Sequence, residues 1–213
     1  MAFIPMGTTN DFGHSLNVPF DRLAVSRNLN NYKVKDVDMG TIDDNPFNYV
    51  VSMGLFSKAS YNTSRKWKNR IGKAAYYLNG FKELFHYKTH KIKLIIDGEQ
   101  VIESEYIYGS ISNSKYMGGF PVYRKKDVKL DDGKFEVLLA KKPSNMLATV
   151  IVVIKILFGN LNDKHLTFTT ASSVDIEAPN GVDLSIDGEY GGNKKSFKIK
   201  INQKVTKYLV PKI

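Results

Sequence analysis

Apolar and polar residues alternate along much of the chain from residue 32 onward, and this period of two is typical of half-buried β-strands. The segment 32–42 (YKVKDVDMGTI) alternates with one slip, and the segment 47–54 (FNYVVSMG) is predicted to pair with it. Between them, residues 43–46 (DDNP) favour a tight turn. The pattern therefore predicts a mainly β chain. Further short strands are predicted over 135–142, 165–170, 172–179, 182–187, 196–201 and 208–211.

Two turns in this pattern are predicted to be tight hairpins, because Asp-Gly and Asn-Gly pairs readily adopt the positive φ angles that such turns require. The stretch 91–113 (KIKLIIDGEQVIESEYIYGSISN) alternates on both sides of Asp97-Gly98. Asn180-Gly181 is predicted to be the second hairpin turn.

Two longer segments have helical periodicity instead. Residues 57–86 form one long helical region with basic residues crowded into its first half. Pro143 precedes an apolar helix over 146–158, which is interrupted by Lys155. This run is shorter than the roughly 20 residues that cross a bilayer, so it is not predicted to span a membrane.

The amino end has a different organisation. A strand at 2–4 leads through a Gly-Thr turn into a short helix, which Thr9 or Asn10 is predicted to cap. A second helix is predicted to begin at Pro19. A strand followed by a polar turn and a helix is half of an α/β unit.

Composition and charge narrow the class of partner. With 213 residues, of which 42% are hydrophobic and 24% charged, the chain is expected to fold around a sizeable core. A net charge of +10 favours an anionic partner such as a nucleic acid, a nucleotide or an acidic membrane surface. The absence of cysteine excludes disulfides, thiolate nucleophiles and Cys-ligated zinc. The amino terminus lacks the features of a secretion signal, so we expect a soluble cytoplasmic protein.

Several catalytic signatures are absent. The sequence contains no Walker loop, dinucleotide-binding GxGxxG, HExxH or EF-hand loop. Its four histidines lack a metal-ligand spacing, and we interpret them as structural or solvated.

Four carboxylate-bearing stretches remain as candidates. In PMGTTNDFG (5–13), polar side chains gather at a helix amino end that favours anions, although a capped turn is the simpler interpretation. In KLDDGKFEV, Asp132 belongs either to a turn or to a site for a hard cation. The tetrapeptide Ile-Asp-Gly-Glu occurs twice, around Asp97 and Asp187. Each copy is either a hairpin turn or a pair of carboxylates held for a reaction.

These pieces occur together in one known family. The order FIPMGTTNDFG, DVDMG, SISNSKYMGG, KLDDGKFEV, a helix ending at Gly159 and IDGEY resembles that of the soluble bacterial diacylglycerol kinases. These lipid kinases share a catalytic domain with sphingosine and ceramide kinases. The resemblance covers essentially the whole chain, and the combination of GTxND with the later DDG and DGE is specific. It implies a kinase that uses ATP and Mg²⁺ to phosphorylate a lipid hydroxyl, with diacylglycerol as the expected substrate.

The resemblance also implies an architecture, mainly β with helices (α+β). A carboxy-terminal β-sandwich would hold the lipid, beside a remnant of an amino-terminal α/β nucleotide domain. The family's Gly-Gly-Asp-Gly-Thr loop should lie upstream of Met1, so we expect a truncated or split member. Because truncation exposes apolar surface, such a chain should self-associate or bind the missing segment. The implied divisions are 1–31 for the remnant, 32–205 for the sandwich and 206–213 for a segment returning to the nucleotide domain.

Carried over residue by residue, the resemblance implies that Asp187 is the general base that accepts the proton of the lipid hydroxyl, with Glu189 beside it. Asp11 and Asp38 resemble acidic residues that organise Mg²⁺ through water. The candidate residues on the nucleotide side are Gly7, Thr8, Thr9, Asn10, Asp11 and Asp38.

A structural Mg²⁺ site is implied as well. It would be formed by the carboxylate of Asp132 and the backbone carbonyls of Lys129 and Lys134. By contrast, Asp97 matches only a variable hairpin of the family and is expected to be a turn alone.

Two other hypotheses stay open. The chain could be a non-catalytic β-sandwich that binds lipid or a partner, or a relative of the NAD kinases, which GTTNDF with the late DGE fits less well. The basic residues Lys66, Lys68, Arg70 and Lys73 fit either an anionic lipid surface or a solvated face. Nucleic acid is not expected, because the aromatic residues follow strand patterns and form no RNA-binding submotif. We expect a cytoplasmic protein that is peripheral to the membrane.

Overall fold

The computed structural model describes residues 1–7, 9–21, 23, 25, 29–57, 84, 87–124 and 126–212. The predicted helical region 57–86 lies mostly outside these residues, and the helix predicted to begin at Pro19 lies partly outside them. In chain order the described elements are α1 (Asp11–Ser15), a 3₁₀ turn (Leu29–Asn31), β1 (Tyr32–Ile42), β2 (Asn45–Phe47), β3 (Val50–Gly54), β4 (His90–Ile96), β5 (Gln100–Ser112), β6 (Phe135–Lys141), α2 (Met146–Leu157), β7 (Leu166–Ala171), β8 (Ser173–Ile186) and β9 (Glu189–Pro211).

The described strands form one antiparallel hydrogen-bonded sheet in the order β2-β1-β9-β8-β3-β5-β6-β7. Both β3 and β4 pair with β5 and β8, so these two short strands share the space between the two long ones. The prediction of a mainly β fold is confirmed.

The sheet is buried on both faces, as β6 illustrates. Its residues Val137 and Leu139 enter one core cluster, whereas Leu138 and Ala140 enter another. The first cluster consists of strand residues alone, so the sheet folds over it as a sandwich. The second cluster combines sheet residues with the helices and the loop after β5, and it includes Phe12, Leu16, Tyr123, Val152, Val153 and Ile156. This second core supports the candidate site.

The predicted partner of β1 is partly wrong. Only the three residues of β2 turn back onto β1, and its other neighbour is β9. The strand β3 is separated from β1, since it lies between β5 and β8. A local alternation pattern specifies which residues face a core, but the choice of neighbour depends on contacts between distant segments.

The hairpin predicted at Asn180-Gly181 is also wrong. Both residues lie inside β8, where the register to β9 shifts between Glu177 and Val182. Gly181 has φ +75°, and the positive φ serves a bulge rather than a chain reversal. The reversal comes later, at Asp187-Gly188, so the predicted strands around it merge into the two long strands β8 and β9.

The amino-terminal segment packs on the end of β9. Ala2 forms a parallel bridge to Leu209, whose N–H donates to the carbonyl of Met1 at 2.8 Å. The expected helix cap is wrong, because Asn10 has φ 52° and makes no capping hydrogen bond to α1. Within the described residues, no helix is both long and apolar enough to cross a bilayer.

Glu136 of β6 is a buried carboxyl at the edge of the second core. Burial raises its pKa to about 8, with the Asp132 carboxylate adding to the rise and Lys115 opposing it. The Tyr123 side chain lies near enough to interact with it electrostatically. Its Oε2 atom has no hydrogen-bond partner among the described residues. The neutral acid is therefore the form that this position accommodates.

We expect this carboxyl to make stability depend on pH. Because its folded-state pKa lies above the ordinary value of 4.5, its contribution is complete below that value and is lost as the pH rises to about 8. The free energy of unfolding should fall by up to about 1.4 kcal/mol per pH unit in this window. Glu136→Gln should remove that slope. Urea unfolding from about pH 5.5 to 7.5 measures the difference, and equal slopes in the two proteins would contradict it.

Candidate active site

A cavity of about 850 Å³ lies between the amino-terminal segment, the sheet and α2. One part of its lining is polar, with Asn10, Asp11, Asn48, Asp187 and Glu189. The rest is largely apolar and includes Leu55, Phe56, Leu84, Ile107, Val153 and Ile156. A pocket with a few polar groups at one part and an apolar remainder suits an amphipathic ligand.

Asp187 reaches the cavity from the tight turn between β8 and β9. Residues 187 and 188 have φ 50° and 87°, as in a two-residue hairpin of the type favoured by Asp-Gly. Its carboxylate accepts hydrogen bonds from the backbone amides of Asn48 (2.7 Å), Tyr49 (2.9 Å) and Val50 (3.1 Å). The Asn48 side-chain amide adds a longer bond of 3.3 Å. These donors hold the carboxylate in one position at the cavity wall.

The other Ile-Asp-Gly-Glu turn has the same local geometry. Asp97 has φ 51°, and its carboxylate accepts the amides of Ser172 (2.9 Å) and Ser173 (2.8 Å). In both turns the aspartate N–H also donates to a carbonyl of the strand that it holds, Ser173 for Asp97 and Val50 for Asp187. Asp97 does not line the cavity. The structural function of the two aspartates is therefore shared, and their surroundings differ.

Two further polar side chains lie near Asp187. The exposed Glu189 follows it and also lines the cavity. The Tyr208 hydroxyl donates to Asn48 Oδ1 at 3.3 Å, and burial together with the Asp187 charge raises the pKa of this phenol. The Asn48 side chain thus connects Tyr208 to Asp187.

Asp11 is the second carboxylate in the cavity lining. Its Oδ1 accepts the Gly119 amide at 2.7 Å, and its Oδ2 accepts the Gly118 amide at 2.8 Å and the Thr9 hydroxyl at 3.0 Å. Burial raises the pKa of this carboxyl, while these hydrogen bonds oppose the rise. Asp11 therefore ties the start of α1 to the loop that follows β5.

The neighbouring candidates lie along the same segment. Asn10 accepts the Gly7 amide on its side-chain oxygen at 2.7 Å, which closes the turn before α1. Gly7, Thr9 and Asn10 line the cavity with Asp11. Thr8 lies outside the described residues. The structure thus brings the described members of this motif together with Asp187 and Glu189.

Asp38 is placed elsewhere. It is buried, it does not line the cavity, and its two carboxylate oxygens accept the amides of Gly133 (2.6 Å) and Lys204 (2.7 Å). Its own N–H donates to the Leu130 carbonyl at 2.7 Å. Asp38 thereby joins β1 to a bulge in β9 and to the loop before β6. Its function in organising Mg²⁺ stays a prediction.

The candidate Mg²⁺ loop is the segment that Asp38 holds. Asp132 is exposed and accepts the Lys134 amide at 3.1 Å, and Lys129 is exposed as well. Across the described residues no group of three or more His, Cys, Asp or Glu side chains could hold a metal. One carboxylate with backbone carbonyls is nevertheless a set of hard oxygen donors, which fits Mg²⁺.

Sequence reasoning missed the residues that position the two carboxylates. Gly118 and Gly119 end the SISNSKYMGG stretch of the family resemblance. Their φ angles of 61° and 87° suit the sharp loop that points both amides at Asp11. Asn48 has no local signal, because it lies 139 positions from Asp187 in the sequence.

Comparison with known proteins identifies the family. A family model described as the YegS C-terminal NAD kinase beta sandwich-like domain matches residues 49–202. A diacylglycerol kinase from Staphylococcus carnosus (strain TM300) is 31% identical over 209 residues, covering 98% of this chain and 67% of the relative. Another from Bacillus subtilis (strain 168) is 29% identical over 194 residues, covering 90% of this chain and 63% of the relative.

Structural comparison agrees. The crystal structure of a diacylglycerol kinase-like protein from Bacillus anthracis str. Sterne superposes with a TM-score of 0.78 at 28% identity, covering 98% of this chain and 68% of that one. The chain thus spans about two thirds of the length of the relatives it matches. Given a family model that covers most of the sequence and a relative of 31% identity that aligns with nearly all of it, the chain belongs to the diacylglycerol kinase family of lipid kinases.

Proposed function

We propose that this chain is the lipid-binding part of a kinase that transfers the γ-phosphoryl group of ATP to the hydroxyl of diacylglycerol, forming phosphatidate. The observation that carries the proposal is the cavity, where Asp187 and Asp11 lie in the same lining as a large apolar surface. A diacylglycerol has one free hydroxyl beside two acyl chains, so it suits a cavity of this character. We place the reaction at the cytoplasmic surface of the membrane.

Asp187 acts in this proposal as the general base. The lipid hydroxyl approaches its Oδ2 atom and takes the place of the Asn48 side-chain amide, whose 3.3 Å hydrogen bond is the longest of the four. The three backbone amides keep the carboxylate in position during this exchange. The proton then passes from the hydroxyl oxygen to Asp187 as that oxygen bonds to the γ-phosphorus of ATP, and the bond from this phosphorus to the bridging oxygen breaks to release ADP. Glu189 lies beside this path.

In this proposal, the polar residues of the amino-terminal segment contact the phosphate groups of ATP. Gly7, Thr9, Asn10 and Asp11 line the same cavity and are proposed to face ATP. Mg²⁺ bound near Asp11 would neutralise charge on the phosphates. A separate structural Mg²⁺ would be held by Asp132 with the carbonyls of Lys129 and Lys134, where its charge would stabilise the loop that Asp38 joins to β9.

A second candidate function is non-catalytic binding of lipid or of a protein partner. It is favoured by one observation, namely that most of the cavity lining is apolar, which suits lipid binding whether or not a reaction follows. In that case the apolar cavity would bind diacylglycerol without phosphoryl transfer.

Labelled phosphatidate formation separates the two functions. The chain is incubated with γ-labelled ATP, Mg²⁺ and a short-chain diacylglycerol, alone and together with the part of the Staphylococcus carnosus relative that it does not match. We expect labelled phosphatidate from the combined proteins and none from the added part alone. If the chain binds the diacylglycerol but no combination produces phosphatidate, the kinase proposal is wrong and the binding function stands.

A further inference from the structure

The helix α2 carries an apolar stripe on its outer side. Leu147 and Phe158, which directly follows the helix, are 71% and 70% exposed, and Ile151 and Ile154 are 45% and 48% exposed. At 3.6 residues per turn these four positions fall within an arc of roughly 60°. Large apolar side chains that are gathered on one exposed face mark an interaction surface, whereas single ones do not.

The inner side of the same helix faces the proposed lipid site. Val153, Ile156 and Leu157 line the cavity, and Asn145 caps the helix by accepting the Ala148 amide at 2.9 Å. A surface helix of an ordinary globular protein is polar on the side away from the core. Here α2 is apolar on both sides. The outer stripe and the cavity wall are therefore opposite faces of the same helix, separated only by its thickness.

The sequence of the helix and its flanks contains lysines and no acidic residue. From residue 137 to 162 the sequence has no Asp or Glu, while it has Lys141, Lys142 and Lys155. Lys155 is paired with Asp163 at 2.6 Å, just beyond the helix. Lys142, at the other end, lies 3.8 Å from Glu105 and keeps 53% of its side chain exposed. Anionic headgroups would therefore be attracted by the exposed Lys142 and by the net charge of +10 on the chain, while Glu105 and Asp163 offset part of this attraction.

We propose that α2 lies in the surface of a bilayer containing anionic lipids and that its outer stripe inserts among the acyl chains. Twelve residues give a helix about 18 Å long, which suits an orientation parallel to the membrane and not across it. A lipid then needs to pass only the thickness of α2 to reach the cavity. The proposal rests on the proposed lipid function, but it concerns membrane binding and requires no turnover.

Vesicle binding by the chain tests this surface. The probe is sedimentation with vesicles of phosphatidylglycerol and phosphatidylcholine, without ATP. The variant is Ile154→Glu, which places a charge in the centre of the stripe. The matched control is Val101→Glu, because Val101 is 57% exposed on β5 and does not line the cavity. We expect the partition coefficient to fall about tenfold or more in Ile154→Glu and to stay within about twofold in the control.

Three results would overturn the proposal. The first is vesicle binding by Ile154→Glu equal to that of the unsubstituted chain, and the second is no binding by the unsubstituted chain. The third is a dimer of the unsubstituted chain that Ile154→Glu converts to monomer in sedimentation equilibrium, since the stripe would then bind a second copy. The vesicle assay contains no ATP and measures no turnover, so a failure of the kinase proposal would leave its result unchanged.

Discussion

Asp187→Asn should reduce phosphatidate formation by roughly a thousandfold or more, because an amide cannot accept the proton of the lipid hydroxyl. The measurement is labelled phosphoryl transfer in the combined system described above, at saturating ATP and short-chain diacylglycerol. The loss should appear in kcat, since the substitution removes proton transfer and leaves the apolar cavity in place.

This variant also perturbs structure, which makes its control important. Asp187 holds the amides of Asn48, Tyr49 and Val50, so an amide nitrogen placed beside those donors will destabilise the turn. Asp97→Asn introduces the same change in the other Asp-Gly turn, where the carboxylate accepts two backbone amides. We expect Asp97→Asn to lower the free energy of unfolding by about 1 to 2 kcal/mol and to keep nearly all activity.

Comparing Asp187→Asn with Asp97→Asn shows whether Asp187 acts as a general base or only stabilises its turn. If both variants lose activity in proportion to their loss of stability, Asp187 is only a structural residue of the hairpin. If Asp187→Asn retains turnover while remaining folded, the base is another group. Either result would remove Asp187 from the proposed mechanism.

Asp38→Ala should lower the free energy of unfolding by about 3 kcal/mol or more, because it leaves two inward-facing amides without acceptors. Those amides belong to Gly133 and Lys204, in segments that are far apart in sequence. Urea unfolding at neutral pH measures the loss.

The matched control is Asp43→Ala. Asp43 also accepts a backbone amide, that of Lys198 at 2.9 Å, and pairs with the Lys194 ammonium group at 2.5 Å. It stands in an exposed turn, however, where water can replace the lost partner. We expect its cost to stay near 1 kcal/mol or below. Equal losses for the two variants would show that burial does not determine the importance of Asp38.

Several features of this protein could be predicted from local sequence. The β class follows from alternation, and the turn at Asp97-Gly98 follows from the readiness of that pair to adopt positive φ. The grouping of polar residues in 7–11 was also visible, and the cavity lining contains its described members. Local rules worked in these places because each property depends on residues within a few positions of one another.

Other features could not be predicted from local sequence and became apparent only in the tertiary structure. Asn180-Gly181 has the chemistry of a hairpin turn, yet it forms a bulge, because β8 continues past it along β9. The partners of Asp38 could not be predicted from local sequence, because this buried carboxylate accepts the amides of Gly133 and Lys204, which are far from it along the chain.

The two Ile-Asp-Gly-Glu turns show most clearly how features specified by local sequence differ from features specified by the fold. A tight turn at each copy is predictable from a few residues, because the backbone preferences of Asp and Gly act locally. The fold is needed to show that Asp187 borders an apolar cavity together with Asp11, whereas Asp97 does not. The surroundings of a carboxylate depend on long-range packing of the sheet, which brings residues 48–50 and the amino-terminal segment beside the turn at 187.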